Sequence, residues 1–276
     1  MITYDEGLAS LPDDVIYEIF KLLDTEALKS CSLTGKVLSR SAKPFLHRAL
    51  HLTPLPGVHD PPRVPGRWNE LGGLSVLGQR DLLQHTRHIS IRLPCNPLFA
   101  HDLQHHTQSL YALTNLRSLK TCWLDIPSFI PKMEIYFGSF LWSLQSLELE
   151  FPRGDHNQIL YFVCRFPNLR DLRIQGVQDY IHSMRNGCPH FDIKTSPPLD
   201  GTLDLKLNTE SDMAARLVFN NLIALPSGLK FRTVKLSEYT IDSPQLLIDA
   251  CAPTLECVDF TGRWFGGLFL CKRECL

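Results

Sequence analysis

The chain is poor in the features that would place it in a membrane, on a nucleic acid or around a metal. No apolar run in its 276 residues approaches the length needed to cross a bilayer. Charge of one sign is missing as well: 28 Lys+Arg stand against 29 Asp+Glu, with no basic block. That balance argues against nucleic acid or an anionic membrane as the main partner. The opening residues Met1-Ile2-Thr3-Tyr4-Asp5-Glu6 lack the basic start and apolar stretch of an export signal, and the last four do not begin with the cysteine of a prenylation box. Nine cysteines, an odd number without Cys-x-x-Cys pairs, read as reduced, small apolar residues. A cytoplasmic or nuclear location is expected.

Motifs of chemistry are equally scarce. Gly35-Lys36 has Ser30 where a phosphate loop needs glycine, and Gly72, Gly73 and Gly78 miss the dinucleotide spacing. Ser75 lacks the second glycine of a nucleophile elbow. His101 and His105 stand four apart, yet Asp102-Leu103-Gln104 between them holds no glutamate and no third ligand follows. Solvated histidines on a surface helix describe them better. Cys251 with Cys257, and Cys271 with Cys275, are too loosely placed for a zinc ribbon, and Cys164 and Cys251 suit buried packing. The expectation is a non-catalytic protein with no cofactor and no metal.

What is abundant is leucine, 46 of 276 residues. Three regions differ in texture. Residues 8–52 are helical in pattern: Leu11-Pro12-Asp13-Asp14 opens a helix, and Val15, Ile16, Ile19, Phe20 and Leu23 follow at 3/4 spacing. Asp24 or Thr25 can cap a second helix with Ala27, Leu28 and Cys31; Gly35 breaks it; Pro44 can start a further turn with Phe45, Leu46 and Ala49. Residues 53–80 form a Pro/Gly-rich linker, with Pro54, Pro56, Pro61, Pro62 and Pro65 denying both helix and central strand. Residues 81–276 break into short alternating apolar pieces.

Those pieces repeat. Leu113-x-x-Leu116-x-x-Leu119, Leu141-x-x-Leu144-x-x-Leu147-x-Leu149 and Phe166-x-x-Leu169-x-x-Leu172-x-Ile174 share one form, with looser copies at Ile89/Ile91, Leu203/Leu205, Val234/Leu236 and Val258/Phe260. Their leading positions lie 24 to 31 residues apart. A strand in each unit points alternate residues inward, and units must stack to bury that face. An ordinary α/β domain with evenly spaced strands remains the competing reading. Trp264-Phe265 and Leu268-Phe269-Leu270 are expected to pack back on the last repeat.

Leu11-Pro12-x-Asp14-Val15-Ile16-x-x-Ile19-Phe20-x-x-Leu23-Asp24, then Leu28 and Cys31-Ser32-Leu33, resembles the F-box motif. The second half departs from it: Thr34 and Gly35 stand where Val-Cys is common, and Leu38 where Trp is common. The later pieces resemble degenerate leucine-rich repeats, of the kind fungal-type F-box proteins often carry, without the Asn usual after the strand. Pro152 and Val177 lie near two such places.

The fold so implied is α/β: an N-terminal three-helix F-box followed by an irregular leucine-rich-repeat-like solenoid. The function so implied is substrate recognition in an SCF-type ubiquitin ligase. A Skp-type adaptor, itself held by a cullin, would take Leu11, Pro12, Val15, Ile16, Ile19, Phe20, Leu23 and Leu28, some of which must also form the module's own core. A protein target of unknown identity would meet side chains projecting from the strands: Lys120, Glu148, Arg173, Asp204, Lys235 and Asp259. The alternatives are a repeat scaffold that binds proteins outside any ligase, and an enzyme whose α/β core mimics repeats.

Overall fold

The computed structural model describes residues 7–52, 83–92, 112–176, 192–206, 212–237, 245–261 and 272–275. The linker at 53–80, the histidines at 101, 105 and 106, Val177 and the aromatic stretch at 264–270 lie outside them.

Three helices come first. Helix α1, Asp13–Leu22, starts after Pro12 with Asp13 and Asp14 in its first turn, where the positive dipole end favours acids. Asp24 caps α2, Thr25–Thr34, by accepting the Ala27 N–H at 2.7 Å. Gly35, extended, joins α2 to α3, Lys36–Leu46. Pro44 therefore sits inside a helix and does not begin one. Its missing N–H leaves the Arg40 carbonyl without an i→i−4 donor, and the helix stops two residues later.

The helical pattern also ends early. Ala49, expected on a helical turn, opens strand β1, Ala49–Leu52, which pairs in parallel with β2, His88–Arg92. The last four residues of the 8–52 unit thus belong to the sheet.

From there each unit adds one strand: β3 Ser118–Cys122, β4 Ser146–Glu150, β5 Asp171–Gln175, β6 Thr202–Lys206, β7 Thr233–Ser237 and β8 Cys257–Thr261. Spatial order equals chain order, and every pair from β1 to β8 is parallel. The final strand β9, Lys272–Cys275, pairs antiparallel with β8 and covers that edge.

The register makes the sequence pattern physical. Ile89, Leu119, Leu147, Leu172, Leu203, Val234 and Val258 form one buried row across seven strands. Ile91, Thr121, Leu149, Ile174, Leu205 and Leu236 form a second buried row, with Phe260 packed against it. Since side chains alternate with a period of two, the residues between them face the opposite side.

Crossovers carry helices α4 Ile126–Phe129, α5 Met133–Phe137, α6 His156–Cys164, α7 Asp212–Ile223 and α8 Gln245–Cys251. Asp155 and Gln158 start α6 with a reciprocal capping box. Phe129, Tyr136, Phe137, Phe140, Phe162 and Phe166 pack around one another with centroids 5.2 to 6.4 Å apart, filling the space beneath the central strands. No helix among the described residues is long and apolar enough to cross a membrane.

Candidate functional site

Two surfaces bring the expected residues together. The first lies on the N-terminal helices, whose core is separate from that of the sheet. It consists of Ile16, Phe20, Leu28, Leu38 and Ala42, with Ile19, Leu23 and Phe45 among the partly buried residues around it. So small a core is marginal by itself.

The eight residues expected at an adaptor interface divide accordingly. Ile16, Phe20 and Leu28 are 0%, 0% and 6% exposed, so they hold the module together and cannot meet a partner without unfolding it. Ile19 and Leu23 are half-buried at its edge. Leu11, Pro12 and Val15 are exposed.

Leu22, absent from the expected set, is 86% exposed. At about 100° per residue, Val15 and Leu22 lie about 20° apart on α1, while Ile16 and Phe20 lie roughly 100–160° round the helix from them. So α1 has two apolar faces, one used internally and one open. Leu33 and Val37, flanking the α2–α3 joint, add to the open apolar surface. Of the nine large hydrophobic residues exposed among the described residues, six fall between positions 11 and 37. The i,i+7 relation of Val15 to Leu22 was the available sequence signal.

The second surface is the open face of the sheet. Lys120, Glu148, Arg173, Asp204, Lys235 and Asp259 occupy a single register row on six successive strands, one residue per strand, alternating in sign. Lys120 Nζ donates to Glu148 Oε1 at 2.9 Å and to Glu150 Oε1 at 2.6 Å. Arg173 reaches Glu148 at 3.5 Å and Asp204 at 3.2 Å. Burial opposes protonation of Lys120, but the bonds to Glu150 and Glu148 outweigh it and hold the ammonium above its ordinary pKa.

The pairing stops at Asp204: among the described residues Lys235 forms no ion pair with either neighbour. The face is thus zwitterionic, with its charges paired from Lys120 to Asp204. Such partly exposed pairs contribute little stability, about 0–1 kcal/mol each.

The thiols lie elsewhere. Burial pushes Cys164 up to about 12 and Cys251 up to about 11, so both stay protonated at neutral pH. Iodoacetamide at pH 8 should leave Cys251, which is fully buried, unlabelled until urea unfolds the chain; site-resolved mass spectrometry reads the result. A raised folded pKa also means that stability is intact below the ordinary thiol value of 9.0 and falls as pH climbs from there towards 11–12. Labelling of Cys251 in native protein at the rate of an exposed thiol would contradict this placement.

Among the described residues, no group of three or more His, Cys, Asp and Glu side chains is arranged to hold a metal ion. No protein-family model matches the chain, and no curated protein is significantly similar to it in sequence.

Proposed function

We propose that the protein is the substrate-recognition subunit of an SCF-type ubiquitin ligase. Its three N-terminal helices form an F-box that docks on a Skp-type adaptor and, through it, a cullin. Its one-strand-per-unit sheet is a degenerate leucine-rich-repeat solenoid whose open, charge-patterned face holds the protein target. The ligase chemistry belongs to another subunit; this chain raises the local concentration of the target beside it.

One observation carries the reading: helix α1, whose sequence resembles the F-box motif, keeps Val15 and Leu22 open on the side opposite its buried Ile16 and Phe20. A helix that fills a small core with one face and leaves a second apolar face in solvent has the form used for helix-in-groove docking.

The test is co-purification of the full chain with a Skp-type adaptor, beside a Val15→Asp, Leu22→Asp double variant. Both positions are exposed, so the variant keeps its fold. Retention of the wild type and loss of the variant is the expected outcome. A folded wild-type chain that does not retain the adaptor would leave a free-standing repeat scaffold as the better description.

A further inference from the structure

The residue immediately before each strand forms a third register column, at the rim where the strands begin. It runs Arg48, Arg87, Arg117, Gln145, Arg170, Gly201, Arg232, Glu256, and from Arg87 onward each main-chain N–H donates to the carbonyl of the residue before it in the column. Five of eight positions are arginine in a chain whose formal net charge is −1.

Farther along, the arginines are occupied. Arg170 is paired to Asp200 at 2.7 Å and Arg232 to Glu256 at 3.7 Å. At the start they are not. Arg48 and Arg87 form no ion pair with a carboxylate of the described residues, and Arg117 reaches only the neutral Gln145 amide, at 3.3 Å.

These three arginines and His85 line one cleft of about 220 Å³, walled on the helical side by Tyr17 and Phe45, whose rings pack 5.0 Å apart. Among the described residues, no acidic side chain lines it. The local field is positive: His88 is held below its ordinary pKa by burial and by the nearby charges of Arg48 and Arg87. His47 is lowered by burial, with His85 and Lys43 adding to the effect.

We infer that this cleft, between the N-terminal helices and the first three strands, binds a phosphoryl group. Strands lie about 4.8 Å apart, so consecutive arginines of the column are spaced to share one tetrahedral dianion. Each guanidinium offers a planar fork of donors matched to phosphate oxygens. The volume is small for a drug-sized or nucleotide ligand and ample for a phosphoryl group with part of its carrier. Three cations without a counter-charge among the described residues repel one another, and a bound dianion relieves that repulsion. The inference stands on the cleft alone and is independent of the ligase reading.

The test is isothermal titration of the full chain with inorganic pyrophosphate and, separately, with N-acetyl-phosphoserine amide. Wild type should bind at least one of them, with an affinity that falls as salt is added. Arg48→Gln and Arg87→Gln should each weaken binding about tenfold or more while melting at the wild-type temperature in the absence of ligand. Arg232→Gln, in the same column but outside the cleft, should bind as wild type does. Tighter binding of pyrophosphate identifies a free oligophosphate as the source of the group; tighter binding of the phosphoserine probe identifies a phosphorylated protein side chain. No binding of either probe, or equal loss in Arg232→Gln, overturns the inference and reduces the arginines to stems covering the rim of the core. Adaptor binding is measured separately, so the two readings fail independently.

Discussion

Phe20→Ala should melt the N-terminal helices while the sheet stays folded. Phe20 is fully buried in a core of five residues and meets Phe45 edge-on at 6.1 Å. Truncating a buried phenylalanine costs about 3–5 kcal/mol, and a core this small has little else to lose. Because the helical core and the sheet core are separate clusters, the loss is local. Amide hydrogen exchange reads it directly: protection should vanish on α1 to α3 and persist on β3 to β7. Equal loss of protection in both parts would mean that the two cores fold as one unit. The consequence for function is practical. A missing adaptor complex in Phe20→Ala reports an unfolded module, whereas Val15 and Leu22 report the surface itself.

Gly176→Ala is the second large effect, expected to cost about 2–5 kcal/mol. Gly176 follows β5 with φ of +65°, in the left-handed region where an L side chain costs about 1–2 kcal/mol. An added Cβ would also lie within about 2.5 Å of the Phe151 ring. That ring has nowhere easy to go. Phe151, itself at φ 51°, stacks on Trp123 at φ 64° with centroids 4.8 Å apart and planes 16° from parallel. The three residues occupy equivalent places after β4, β3 and β5, each N–H donating to the carbonyl at the end of the next strand. Overpacking such a stack adds about 1–3 kcal/mol to the backbone strain. A chemical-denaturation midpoint within error of wild type would show that this turn is looser than its geometry states.

Much of the sheet was legible because leucine spacing and strand register express the same physics. Each apolar pair at Leu147/Leu149, Leu172/Ile174 or Leu203/Leu205 occupies adjacent buried rows, so the spacing of the pairs was the spacing of the strands. The unit at Leu119 showed only half the signal, because Thr121 interrupts an otherwise apolar row. Strand β1 was hidden for a different reason. Its four residues follow a helix directly, and their partner, β2, lies more than thirty residues ahead. A local pattern cannot declare a non-local pairing.

The candidate surfaces were legible in outline only. Periodicity marked α1 as apolar, but which of its faces the other two helices would cover depends on packing, and Leu22 fell outside the stripe that packing chose. The charged row was visible as alternation, while its pairing from Lys120 to Asp204 needed the side chains. The arginine column was invisible along the chain, since its members are 24 to 39 residues apart wherever the parallel register brings them side by side.

The proposed adaptor role is tested most sharply by the dissociation constant of the full chain for a Skp-type adaptor, measured for the wild type and for Leu22→Asp. Leu22 is exposed, so melting of the variant should stay close to wild type, lowered only by the cost of an acid at the end of α1, about 0.3–1 kcal/mol. On the proposed docking face, a charge at this position should weaken the complex by about 100-fold or more, the mark of a hot spot at roughly 3 kcal/mol. Equal affinity of the two folded proteins for the adaptor would contradict the assignment of the open face of α1 as the docking surface.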